Sequence, residues 1–122
     1  MKDMNYTLLY VDNPPASAAF YAGLLDKEPV ESSPGFALFV LDSGVKLGLW
    51  SKHTVEPGAT PVGGSELGFS VADRQTVDAH YEVWKGLGMR IAQAPTDLDF
   101  GYTFVALDPD GHRLRVFAMA ME

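Results

Sequence analysis

Val105-Ala106-Leu107-Asp108-Pro109-Asp110-Gly111, near the C-terminal end of the 122-residue chain, repeats in altered form Phe39-Val40-Leu41-Asp42-Ser43-Gly44. Each stretch is an apolar run entering an acidic, glycine-closed turn. Each leads into an alternating segment, Val45 to Trp50 in the first case and His112 to Met119 in the second, so both read as tight hairpins. The repeat extends upstream. Tyr6-Thr7-Leu8-Leu9-Tyr10-Val11 reads as a strand, after which Asn13 caps and Pro14 opens a helix running to about Leu25. Leu67-Gly68-Phe69-Ser70-Val71 is the second such strand, and Asp73 caps a helix in which Val77, Tyr81 and Trp84 recur at helical spacing before Gly86 and Gly88 end it. His80-Tyr81 stands sixty positions after Phe20-Tyr21, and the hairpins are displaced by six or seven more, which predicts a loop insertion at Ala94 to Gly101. The order strand, helix, short strand, hairpin therefore occurs twice. The predicted fold is α+β, with two tandem βαβββ units forming curved mixed sheets around a cleft. The first unit covers about residues 4–52, a linker rich in proline and glycine about 53–64, and the second unit about 65–120.

Half of this chain is too short to bury a core alone, so the units are expected to form one domain or to exchange across a dimer. A hydrophobic content of 47% and a charged content of 20% are those of a globular protein. The net charge of −7 offers phosphate backbones no attraction, so nucleic acid is not an expected partner. The absence of cysteine excludes disulfides, thiolate nucleophiles and Cys-bound zinc. No apolar run approaches membrane-spanning length and no basic, apolar leader precedes the first strand, so a cytoplasmic location is the default expectation.

Period-two alternation divides the sheet residues by face. Leu9, Val11, Leu47, Leu49, Leu67, Phe69, Val71, Leu114 and Val116 are expected under the helices. The opposite face receives Tyr6, Leu8 and Tyr10; Lys46, Gly48 and Trp50; Glu66, Gly68 and Ser70; and Arg113, Arg115 and Phe117. That mixture of large apolar groups with a few charges suits an apolar ligand pocket with polar anchors.

The doubled unit, Val11-Asp12 followed by Phe20-Tyr21 and Leu24-Leu25, and Leu107-Asp108-Pro109-Asp110-Gly111-His112 together resemble the vicinal oxygen chelate superfamily. That superfamily includes glyoxalases, ring-cleaving dioxygenases, fosfomycin-resistance enzymes and bleomycin-binding proteins. Leu9-Tyr10-Val11, Lys27-Glu28-Pro29-Val30, Leu49-Trp50-Ser51 and Thr96-Asp97 before Phe100-Gly101 are most similar to its phenazine-antibiotic resistance branch. Enzymes of the superfamily hold a divalent metal with His, Gln or Glu at four strand positions, which the resemblance maps to Tyr6, Gly48, Glu66 and Arg115. Of these, Glu66 alone is a metal donor near neutral pH, because a phenol keeps its proton, glycine has no side chain and a guanidinium has no lone pair to give. No metal and no cofactor is therefore expected. A metal-dependent glyoxalase- or dioxygenase-type enzyme whose ligands lie elsewhere is the alternative.

The resemblance implies that Glu66 and Arg115 meet, either as a structural salt bridge or as a pair through which Arg115 reaches a ligand anion. Trp50 matches a tryptophan of the phenazine-binding branch and could stack on a planar ligand, with Gly48 leaving room for the ring; a core or interface tryptophan is the other reading. Tyr6 and Phe117 supply wall area, and Phe100 with Tyr102 could close over an aromatic ligand. His53, His80 and His112 show no ligand spacing. Ser17, Ser43 and Ser70 lack a catalytic partner pattern, and Asp108 with Asp110 lacks the rest of a calcium loop. The expected protein is a homodimer that binds and sequesters a small, flat aromatic compound such as a phenazine-like antibiotic, without touching nucleic acid or membrane.

Overall fold

A computed structural model describes residues 5–61 and 65–120. Positions 4 and 62–64, which the sequence assigns to the first unit and the linker, lie outside the described residues. The chain divides into two compact units, Met1–Val62 and Gly63–Glu122.

The first unit runs β1 (Tyr6–Val11), α1 (Pro14–Leu25), β2 (Glu31–Ser32), β3 (Phe36–Val40) and β4 (Lys46–Ser51). Its sheet has the order β1-β4-β3-β2, with β1 parallel to β4 and the remaining pairs antiparallel. Asn13 caps α1 by accepting a 3.1 Å hydrogen bond from the Ala16 N–H, and the helix stops where Asp26 turns left-handed at φ 54°. The helix lays Ala18 and the fully buried Tyr21 over Leu9, Val11, Ala37, Phe39, Leu47 and Leu49, all buried. Val55, from the segment read as linker, is buried as well.

The second unit repeats the order as β5 (Glu66–Ser70), α2 (Arg74–Gly86), β6 (Arg90–Leu98), β7 (Gly101–Leu107) and β8 (Arg113–Met119), with sheet order β5-β8-β7-β6. Asp73 caps α2 through Thr76, whose N–H and hydroxyl donate at 2.8 and 2.7 Å. Gly88, at φ 81°, takes the chain out of the helix. Trp84 meets Phe69 and Phe104 edge to face at 5.9 and 5.3 Å, and Tyr81 meets Phe104 at 5.4 Å, so the expected helix side of this sheet is its core.

Both hairpins close alike. The Leu41 N–H donates to Val45 O and the Gly44 N–H to Leu41 O; the Asp108 N–H donates to His112 O and the Gly111 N–H to Asp108 O. Gly44 and Gly111 adopt φ of 93° and 85°, a conformation glycine enters without steric cost. Leu41, not Asp42, is thus the counterpart of Asp108. The added residues are not the expected loop at Ala94 to Gly101. They prolong β6, whose Thr96, Asp97 and Leu98 pair with Thr103, Tyr102 and Gly101 of β7. Pro95 is accommodated because β6 is an edge strand and its register shifts between Gln93 and Thr96.

Candidate functional site

On β1, β4 and β3 of the first unit the face away from α1 carries Tyr6, Leu8, Tyr10, Phe36, Leu38, Gly48 and Trp50, as the ladders require: Leu8 pairs with Gly48, Tyr10 with Trp50, and Phe36 with Trp50. Tyr6, Leu8 and Tyr10 stay 50%, 44% and 46% exposed. The indole of Trp50 is held edge-on by Phe36 with ring centres 5.9 Å apart, and Lys46 sets its ammonium 5.2 Å above the Tyr6 ring. Gly48 does not leave the expected vacancy. A Cβ there would strike Leu8 and lie 3.2 Å from the Phe36 ring, so this chain's own side chains fill the space over it. Phe36 and Leu38 were missed from sequence, although alternation from the buried Ala37 and Phe39 places them beside Trp50.

The corresponding face of the second unit is polar at one point. Arg115 Nε donates to Glu66 Oε2 at 3.0 Å and Nη1 to the Thr103 hydroxyl at 3.3 Å. That hydroxyl in turn donates to Val116 O at 2.8 Å, leaving a lone pair for the guanidinium. The fully buried Thr103 thus fixes the orientation of Arg115, a role the sequence reading did not assign. Phe100 lies 5.7 Å under the guanidinium and 5.9 Å edge-on from Phe117, and Phe117 flanks Gly68. Glu66, Arg115, Phe100 and Phe117 therefore form one cluster. A hollow of about 210 Å³ opens beside it, bounded by Ala92, Gln93, Leu98, Val105, Arg113 and Arg115.

Tyr102 does not join this cluster. It alternates with Thr103 and so faces α2, where its hydroxyl donates to Asp78 at 2.6 Å, a bond that pushes the phenol above its ordinary pKa. Arg74 stacks 3.9 Å over its ring and pairs with Asp97. A separate cavity of about 520 Å³ lies at that end of the unit, walled in part by Arg74, Leu98, Tyr102 and Met119.

The histidines are dispersed. His53 shares a 2.7 Å hydrogen bond with Asp12 and thereby lowers the carboxyl pKa, His80 lies beside Trp84, and His112 is bound to Asp108. Among the described residues no three His, Cys, Asp or Glu side chains come together as a metal site. Tyr6, Gly48, Glu66 and Arg115 do not suit a divalent ion, since their one carboxylate is held by a guanidinium. Among the described residues no helix is long and apolar enough to cross a membrane.

The sequence profile of the Glyoxalase/Bleomycin resistance protein/Dioxygenase superfamily matches residues 3–116. The phenazine antibiotic resistance protein EhpR of Enterobacter agglomerans is 33% identical over 115 residues, covering 92% of this chain and 88% of that protein. A solution structure of an Agrobacterium tumefaciens protein is 54% identical, with a TM-score of 0.86 over 99% of this chain and 100% of the other. The crystal structure of a lactoylglutathione lyase from the same organism, 20% identical, shares the fold at a TM-score of 0.78 over 97% of this chain and 94% of its own.

Proposed function

The chain belongs to the glyoxalase/bleomycin resistance protein/dioxygenase superfamily, and on that premise we propose that it binds and sequesters a small planar aromatic compound, a phenazine-like antibiotic, without using a metal. The observation that carries this reading is the partly exposed Trp50, braced edge-on by Phe36 on an apolar sheet face. Offset stacking of a flat ligand on this indole would add roughly 0.5–1.5 kcal/mol beyond area burial. The resistance protein that is 33% identical over 115 residues supports the ligand class. The mismatched metal positions favour binding over the superfamily's metal chemistry.

Titration with phenazine, in the presence of a chelator, tests this directly. Binding should quench the emission of Trp50, whereas Trp84, on the buried side of α2 and 7% exposed, should contribute little to the change. Trp50→Ala should weaken affinity by about tenfold or more, and Trp50→Phe should remove most of the quenching while keeping part of the affinity. Unchanged affinity in Trp50→Ala, or binding abolished by the chelator, would overturn the proposal.

The same reading includes a homodimer. Tyr6, Leu8 and Tyr10 form an exposed apolar row on the edge strand β1, a surface that monomers seldom leave uncovered. Light scattering at micromolar concentration should give twice the 13.3 kDa chain mass, and a species of single-chain mass would count against it.

A further inference from the structure

The cavity of about 520 Å³ belongs wholly to the second unit, at the end where β6, β7 and β8 meet the start of α2. Its volume lies within the roughly 300–1,000 Å³ of pockets that take whole small molecules. The walls are of two kinds. One is aliphatic: Leu98, Ala118 and Met119 line it, and Leu98 and Met119 stay 39% and 59% exposed, large apolar side chains left open to solvent. The other carries charges of both signs. The Arg74 guanidinium is braced over the Tyr102 ring, itself fixed through its hydroxyl by Asp78. Asp97 accepts from Nη1 and, at 3.4 Å, from Nη2, while Nε donates to no group among the described residues. Asp73 uses one oxygen, Oδ1, for both bonds from Thr76, and its Oδ2 accepts none among the described residues.

We propose that this cavity binds a free α-amino acid with an apolar side chain: Arg74 takes its carboxylate, Asp97 and Asp73 share its ammonium, and its side chain lies against Leu98, Ala118 and Met119. A ligand of single charge is poorly matched, since an anion would meet two carboxylates and a cation the guanidinium. A zwitterion satisfies both signs at once. The edge of Arg74 formed by Nε and Nη2 offers two parallel N–H groups to a carboxylate, a geometry that a planar guanidinium presents and an ammonium does not. The Arg74–Asp97 pair is open to solvent, with side chains 61% and 69% exposed, so it contributes little by itself and its members can be shared with a ligand at little cost. Covering the exposed aliphatic wall supplies the remaining attraction. The site is independent of the reading of the chain as a binder of aromatic compounds, because it uses neither Trp50 nor the Glu66–Arg115 cluster.

The test titrates the isotope-labelled full chain with leucine, leucinamide, N-acetylleucine and glycine near neutral pH, following backbone amide signals by NMR. Leucine should shift the amides of Gln75, Gly101 and Met119 and saturate below about 10 mM. Leucinamide, which lacks the carboxylate, N-acetylleucine, which lacks the ammonium, and glycine, which lacks the apolar side chain, should each bind about tenfold or more weakly. In Arg74→Gln the preference for leucine over leucinamide should fall to within about twofold, and in Asp97→Asn the preference over N-acetylleucine should narrow likewise. Melting temperatures measured beside the titrations show that both surface variants are folded. Leucine that leaves these amides unmoved, or leucinamide or N-acetylleucine that binds wild type as tightly as leucine, would overturn the proposal without recourse to a variant. Arg74→Gln that is folded and keeps the full preference over leucinamide would overturn it as well.

Discussion

Replacing Phe104 with alanine should lower the stability of the protein by about 3–5 kcal/mol, the usual cost of removing a buried phenylalanine ring and leaving its cavity. The ring is fully buried and is met by Tyr81 at 5.4 Å and Trp84 at 5.3 Å, so it joins β7 to α2. Against a typical domain stability of about 5–15 kcal/mol this is a large fraction. Urea unfolding should show a lower midpoint with an unchanged slope, and Val83→Ala, at a site 57% exposed on the same helix, should stay within about 0.5 kcal/mol of wild type. A loss under about 1 kcal/mol in Phe104→Ala would mean that the aromatic core is not packed as described.

The second large effect is expected at Asp108, whose side chain is fully buried in the β7–β8 hairpin. One carboxylate oxygen accepts the N–H groups of Asp110 and His112 at 2.9 and 2.8 Å, and the other meets His112 Nδ1 at 2.7 Å. Asp108→Ala removes the acceptor for all three donors and should cost about 2–4 kcal/mol. Since β8 carries Arg115 and Phe117, the cluster they form with Glu66 and Phe100 should loosen with it. The same contact has a pH signature. The hydrogen bond that His112 donates to Asp108 raises the histidine pKa, against a smaller opposing effect of burial and with support from the charges of Asp108 and Asp110. A histidine raised on folding contributes stability that is fully present below its unfolded value, near pH 6.5, and lost as pH rises through the folded value. The stability difference between wild type and His112→Gln should therefore be greatest under mildly acid conditions and shrink as pH rises above neutrality. A difference that grew with pH would contradict the assignment.

The strands and their faces were legible because alternation is strict where one side of a sheet is covered: Leu9, Val11, Leu47 and Leu49 are buried while Tyr6, Leu8 and Tyr10 are not. The helix starts were equally plain, since Asn13 and Asp73 act through local hydrogen bonds that depend on nearest neighbours alone. What escaped depends on partners distant in sequence. Pro95, Asp97 and Asp99 argue for a loop on local preference, yet the exposed edge of β7 offers a ladder that draws Thr96 to Leu98 into a strand. Proximity along the chain suggests that Tyr102 acts with Phe100, but its alternation with Thr103 turns it toward Asp78. Gly48 suggests an opening because glycine has no side chain, but whether that space is empty depends on Leu8 and Phe36, from two neighbouring strands. The meeting of Glu66 and Arg115 came from family resemblance rather than from pattern, and the buried Thr103 that orients the arginine carried no distinguishing signal of its own.

The lengthening of β6 also bears on how the two halves have diverged. It places the turn bearing Phe100 beside Arg115, whereas β2, its counterpart in the first half, is a two-residue strand with nothing comparable. A gene built by duplicating the second half would encode two guanidinium anchors, each with its aromatic partner; one built from the first half would encode two tryptophan faces and no anchor. The halves are thus alike in architecture but have ceased to be interchangeable. Recombination between them would preserve the scaffold while separating the exposed tryptophan face from the arginine–phenylalanine cluster that the intact chain carries on different halves.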